Sequence, residues 1–273
     1  MTATLPSPGT PGTNNRARIS ARTFRKDRWW LGPVLTALGL TAFVVYATAR
    51  VFQQDNYWVE EHHYLTPFYS PCLSASCVPE SAVFGTLPWA FPWFLPYALI
   101  SLPFLLLFRF TCYYYRKAYY RSIWQAPTAC AVSEPHDRYT GESRFPMIGQ
   151  NLHRYFFYAA VLISLVNTYD ATIALAHGEN GGFGIGLGNL ILIVNVVLLW
   201  CYTLSCHSCR HVFGGRARSF GTRPVRYWMW TQVSRLNTRH MLFAWITLGT
   251  LMLTDFYVML VAGGTISDPR IFN

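Results

Sequence analysis

The chain has 273 residues, of which 52% are hydrophobic, 17% aromatic and only 12% charged, and its formal net charge is +10. Soluble domains carry about 25% charged residues, so an ordinary soluble fold is excluded, and so is a disordered chain. The apolar residues are gathered into long blocks that a bilayer, rather than a globular core, must cover.

Residues Met1–Asn15 are rich in Pro, Gly, Ser and Thr and read as a disordered tail, within a basic segment that runs to Arg28. The first apolar block is Trp29–Ala49. Although Ala47-Thr48-Ala49 resembles a signal-peptidase site, the run is as long as a full span and opens on Trp29-Trp30, an interfacial anchor. Further blocks follow at Trp89–Phe110, His153–Ala176, Gly184–Cys206 and His240–Gly263. Each reaches the roughly 20 residues that a helix needs to cross about 30 Å of hydrocarbon. None alternates in polarity, as a β-barrel strand would. The expectation is an all-α integral membrane protein, a five-transmembrane-helix bundle over residues 29–263.

Charge sets the orientation. Six Lys and Arg precede the first span, seven lie from Arg109 to Arg154 and seven from Arg210 to Arg239; only Arg50 and Arg270 fall elsewhere. The positive-inside rule makes the first three groups cytoplasmic, with the N-terminus inside and the C-terminal tail, 264–273, outside. The positive charge therefore reports topology and contact with lipid headgroups, and no nucleic-acid partner is expected. The inner loops 111–152 and 207–239 are long, basic and aromatic, which suits a docking platform for a partner subunit or a headgroup-binding surface.

This topology sorts the seven cysteines. Cys72 and Cys77 share an outer loop, where an oxidising compartment permits a short-loop disulfide. Cys112, Cys130 and Cys201 read as small packing residues. Cys206 and Cys209 sit at the inner end of the fourth block, three residues apart, and on a continuing helix their sulfurs share a face. His153 and His240 open the third and fifth blocks at the same depth, and His211 is a substitute ligand.

Two thiolates and two imidazoles at one depth suit three centres. Zinc would form a closed tetrahedral staple. Haem b would take the two His and ignore the Cys, whereas a Rieske-type [2Fe–2S] cluster would take two Cys on one iron and two His on the other. A cysteine pair beside two His favours the cluster over haem. An exchanging disulfide at Cys206 and Cys209 is disfavoured by the reducing compartment.

Two acidic residues, Asp170 and Asp255, lie in apolar blocks and are candidates for a proton path. A quinone pocket needs an apolar slot and a few donors at the membrane edge, for which Tyr227, Trp230, Arg239 and Arg154 are candidates beside Trp228.

The stretches Arg109–Arg121, Tyr139–Pro146, Asn151-Leu152-His153-Arg154-Tyr155, Cys206-His207-Ser208-Cys209 and Arg239-His240 resemble the five-helix membrane anchor of actinobacterial succinate dehydrogenase, from about Arg22 onward. The resemblance implies a subunit of respiratory complex II in a bacterial plasma membrane. It also implies a flavoprotein that oxidises succinate, an iron–sulfur subunit docked on the cytoplasmic face, and a quinone, menaquinone in such organisms, as electron acceptor. Better-known anchors of this kind hold haem on mid-membrane His, and no block here has a His at its centre. The actinobacterial group offers Cys and His together, which implies the Rieske-type [2Fe–2S] centre.

Overall fold

The structure, a computed structural model, describes residues 25–73, 94–132, 135, 144–177, 182–215 and 219–272, with the backbone alone for 144–150 and without the side chain of Lys117. It is mostly helical. In chain order the elements are α1 (Leu31–Gln53), β1 (Trp58–Val59), β2 (Tyr64–Leu65), α2 (Leu102–Phe110), α3 (Tyr113–Ser122), α4 (Arg144–Ala176), β3 (Ile185–Gly186), α5 (Leu187–Leu204), α6 (His207–Gly214), α7 (Pro224–Asn237), α8 (His240–Ala262) and β4 (Arg270–Phe272).

Among the described residues four helical stretches are long and apolar enough to cross a membrane: Leu31–Gln53, Asn151–Ala176, Leu187–Leu204 and His240–Ala262. The block expected at Trp89–Phe110 has a different form. Its first residues, 89–93, lie outside the described set, and the remainder is a 3-10 turn, Tyr97–Ile100, followed by α2. Pro96 precedes the turn, and Pro103 lacks the N–H that a continuous helix would use at that point. The helix therefore restarts at Ser101, whose carbonyl accepts from Phe104 and Leu105. Nine residues rise roughly 14 Å, about half the hydrocarbon thickness.

α5 is the central helix, packed against α4 on one side and α8 on the other; α2 rests on α4, and α1 on α3 and α8. The end of the bundle where α1, α4 and α8 finish is capped by two small antiparallel ribbons, β1 with β2 and β3 with β4. Polar residues tie this cap to the helices. The Asn189 side chain accepts from the Gly186 N–H and donates to the Ala174 carbonyl, which caps α5 and joins it to α4. Asp268 accepts from the Gly188 N–H and from the hydroxyls of Tyr64 and Tyr257. Gly188 is required at this point, because a Cβ would stand 2.3 Å from the Tyr64 ring.

At the same end Arg50 of α1 meets Asp255 of α8, with Nε donating at 2.7 Å, and both side chains are buried. The Tyr46 hydroxyl donates to the same carboxylate at 2.6 Å, while the other guanidinium nitrogens reach Gln53 and the carbonyls of Asp55 and Asn56. A buried carboxylate with this many donors has a structural role that needs no proton path. Asp170, on α4, accepts from the Ser70 hydroxyl. Cys72 is disulfide-bonded, and Cys77 lies outside the described residues.

Removing one member of a buried pair leaves an uncompensated charge, at a cost of about 3–5 kcal/mol. Arg50→Met should therefore lower the thermal midpoint of the detergent-solubilised protein. Adding Asp255→Leu to it should recover most of the loss in the same melting measurement.

Candidate metal centre

At the opposite end of the bundle two helices break in the same way. α2 stops at Phe110; Thr111 is its C-cap, and Cys112 is the N-cap of α3 with extended backbone angles. α5 stops at Leu204; Ser205 is its C-cap, and Cys206 is the N-cap of α6, again extended. The last carbonyls of a helix lack intrahelical partners. Each hydroxyl turns back to satisfy one, Thr111 Oγ1 donating to the Leu107 carbonyl at 2.7 Å and Ser205 Oγ to the Tyr202 carbonyl at 2.9 Å. The cysteine that follows begins a helix in a new direction, and its sulfur is left inside the bundle. Cys112 and Cys206 are each 1% exposed.

Two imidazoles are clamped by these same hydroxyls. His153 Nδ1 lies 2.8 Å from Thr111 Oγ1, and His240 Nδ1 lies 2.7 Å from Ser205 Oγ. Each hydroxyl has given its proton to a carbonyl, so it accepts here, and each histidine carries its proton on Nδ1. The lone pair of each neutral ring is then on Nε2, and each Nε2 faces a sulfur from the other break. His153 Nε2 is 3.0 Å from Cys206 Sγ, and His240 Nε2 is 3.5 Å from Cys112 Sγ. Each break thus supplies the anchor for one imidazole and the sulfur for the other. A hydrogen bond on the remote ring nitrogen is the device that orients metal-binding histidines.

Aromatic rings fix the imidazole planes. Phe108 stacks on His153 at 4.8 Å and 3°, and Tyr202 stacks on His240 at 5.1 Å and 9°. The four donors line a cavity of about 580 Å³, together with Thr111, Tyr113, Tyr114, Asn151, Arg154, His207 and His211. Among the described residues no three of these donors converge closely enough to enclose a single ion. The donors instead form two Cys–His pairs on the wall of one cavity.

The sequence-predicted residues divide as follows. His153, His240 and Cys206 come together as expected. Cys209 does not line the cavity; it lies within α6, in the same apolar core as Cys112 and Cys206, and because Cys206 is the extended N-cap of α6 the two sulfurs do not share a continuous helix. Cys112, read from sequence as a packing residue, stands where Cys209 was expected. A signal for it was present: Thr111-Cys112 and Ser205-Cys206 are the same hydroxyl–cysteine pair at the ends of two apolar runs.

His211 lines the cavity, as does His207, whose Nδ1 accepts from the Asn237 amide at 2.8 Å. That leaves the His207 proton on Nε2, so this ring is a hydrogen-bond donor rather than a ligand. Of the four expected quinone contacts only Arg154 reaches the cavity. Tyr227 and Trp230 pack with Phe220 along α7, where Trp230 also carries the Arg210 guanidinium at 5.0 Å, and Arg239 is an exposed residue preceding α8.

Residues 31–264 match the family model for the actinobacterial succinate dehydrogenase subunit SdhC. Among solved structures the chain is similar to one from the Mycobacterium smegmatis Sdh1 complex in the apo form. The two share 69% sequence identity at a TM-score of 0.86, over 96% of this chain and 98% of that one. No curated protein matches the chain.

Proposed function

The chain belongs to the family of the actinobacterial succinate dehydrogenase subunit SdhC, and from that premise we propose that it anchors the complex in the membrane and carries electrons from a docked iron–sulfur subunit to a quinone. It is a multi-pass membrane subunit of a succinate dehydrogenase complex. The flavin and the dicarboxylate site belong to a partner subunit. The basic end of the bundle, with Arg109, Arg116, Arg154 and Arg210, faces the cytoplasm, and the end carrying the Arg50–Asp255 pair faces outward.

The observation that supports the reading is that two buried thiols and two buried imidazoles, both with Nδ1 already held, line one cavity; a Rieske-type cluster would take both thiolates on one iron and both imidazoles on the other, so the crossed contacts would give way to it. The proposed ligands are Cys112, Cys206, His153 and His240, Cys112 replacing Cys209. A Rieske-type [2Fe–2S] cluster bound there would supply one-electron transfer at a potential above that of an all-cysteine cluster. The protein's own part is to hold two neutral imidazoles with Nε2 inward, keep two thiols beside them, and wall the site with Phe108 and Tyr202. The cavity also offers a quinone carbonyl two donors, the His207 Nε2–H and the Arg154 guanidinium. The placement of Tyr227, Trp230 and Arg239 on or beside α7 suits headgroup and partner contacts instead.

Cysteine substitutions separate the two ligand sets. Cys112→Ser and Cys206→Ser should each remove the low-temperature electron paramagnetic resonance signal of a His-ligated cluster in the reduced complex. Cys209→Ser should keep it, and loss of the signal in Cys209→Ser alone would restore the pairing expected from sequence.

Metal analysis of the purified complex decides between cluster and staple. Iron and labile sulfide in equal amounts, beyond those of the partner subunits, are expected; zinc in their place would leave a purely structural anchor. Visible spectra with sharp haem α-bands would instead make the subunit a b-type cytochrome.

His153→Ala with His240→Ala should abolish quinone reduction while the flavoprotein still reduces artificial dyes. Thr111→Val with Ser205→Ala leaves all four ligands in place but frees both rings to turn. Cluster occupancy should fall by roughly 10–100-fold in affinity terms, measured as iron retained after graded chelation.

A further inference from the structure

α2 ends in a guanidinium without a counter-ion among the described residues. Arg109 is 5% exposed. Its Nη1 donates to the Tyr115 hydroxyl at 2.7 Å and to the Ala244 carbonyl at 3.2 Å, and Nη2 reaches the Thr247 hydroxyl at 3.4 Å. The rings of Tyr202, Phe43 and Tyr115 surround it, with centroids 5.1, 5.2 and 5.7 Å from the guanidinium carbon. Every one of these partners is neutral. Dipoles and ring faces ease the burial of a cation but leave its full charge in place. Arg50, by contrast, is buried against the carboxylate of Asp255.

The uncompensated charge lies beside the candidate centre. Tyr202 contacts both: its ring lies against the Arg109 guanidinium and stacks on His240. The guanidinium is therefore no more than about 10 Å from the His240 ring, the two ring steps laid end to end. Arg109 also precedes Cys112 by three residues. A site whose ligands include two thiolates gains one negative charge with each electron it accepts. A fixed positive charge at this range, with no carboxylate among the described residues to cancel it, favours the electron-loaded state.

We propose that Arg109 is the fixed counter-charge of the redox centre at Cys112, Cys206, His153 and His240, a positioning residue that raises the centre's readiness to accept an electron. The inference rests on the metal-centre reading above. The electron comes from succinate oxidation within the complex and leaves to the quinone, so the residue alters the equilibrium of a transfer already present and adds no reactant.

The test is a potentiometric titration of the intact complex, followed by low-temperature electron paramagnetic resonance. Arg109→Gln should shift the one-electron equilibrium against reduction by roughly tenfold, which is about 59 mV more negative, with the line shape of the signal retained. Arg109→Lys should stay near the wild-type midpoint. Thr247→Asp provides a second route, because it sets a carboxylate beside the guanidinium and neutralises it without deleting it; the same negative shift is expected. A wild-type midpoint in Arg109→Gln or Thr247→Asp, with the signal intact, overturns the assignment of Arg109 while leaving the metal centre standing. Absence of any such signal from the wild-type complex overturns the metal-centre reading itself.

Discussion

Two hydroxyls that have already spent their protons organise this end of the bundle. Thr111 and Ser205 each close a helix by donating to a carbonyl of its last turn, and in that state each can only accept from an imidazole. The tautomers of His153 and His240 follow, and with them the inward direction of both Nε2 lone pairs. The sulfurs follow from the same breaks, since each cysteine comes directly after a capping hydroxyl. Were either helix to continue through Thr111 or Ser205, hydroxyl, cysteine and imidazole would all lose their relation to one another.

The crossing of the two halves is equally physical. The anchor of His153 comes from the end of α2 and its sulfur neighbour from the end of α5; His240 has the reverse arrangement. A displacement of α2 relative to α5 would disturb one partner of each imidazole, so the site reports the packing of that whole end of the bundle. The ring stacks of Phe108 on His153 and Tyr202 on His240 resist such movement.

The opposite end solves a different problem. Charges and amides are buried there as well, but Arg50, Asp255, Asp268 and Asn189 are matched to one another or to backbone groups, which locks α1, α4, α5 and α8 to the cap. Intramembrane acidic residues invite a reading as proton carriers. Asp255 has a complete set of partners that explains it as a clamp. Polar groups at the other end are instead directed at a cavity, the one that the proposed centre would occupy.

The amino-acid sequence by itself determined the membrane class, the limits of four spans to within a few residues, and the common depth of His153, Cys206 and His240, because hydropathy and span length act along the chain and need no knowledge of neighbours. It also held the prolines that interrupt the second apolar block, although a sum of hydropathy over Trp89–Phe110 is insensitive to a missing N–H. Only the tertiary structure decided which sulfur accompanies which imidazole. Cys206 and Cys209 are near each other in sequence, and a continuous helix would have kept their sulfurs on one face. The break at Ser205 left Cys206 as the extended N-cap of α6 with Cys209 inside that helix and off the cavity wall, and the second sulfur on that wall is Cys112, 94 residues before Cys206. That choice depends on where one helix stops and on which other helix lies beside the stop, and neither is a property of local spacing.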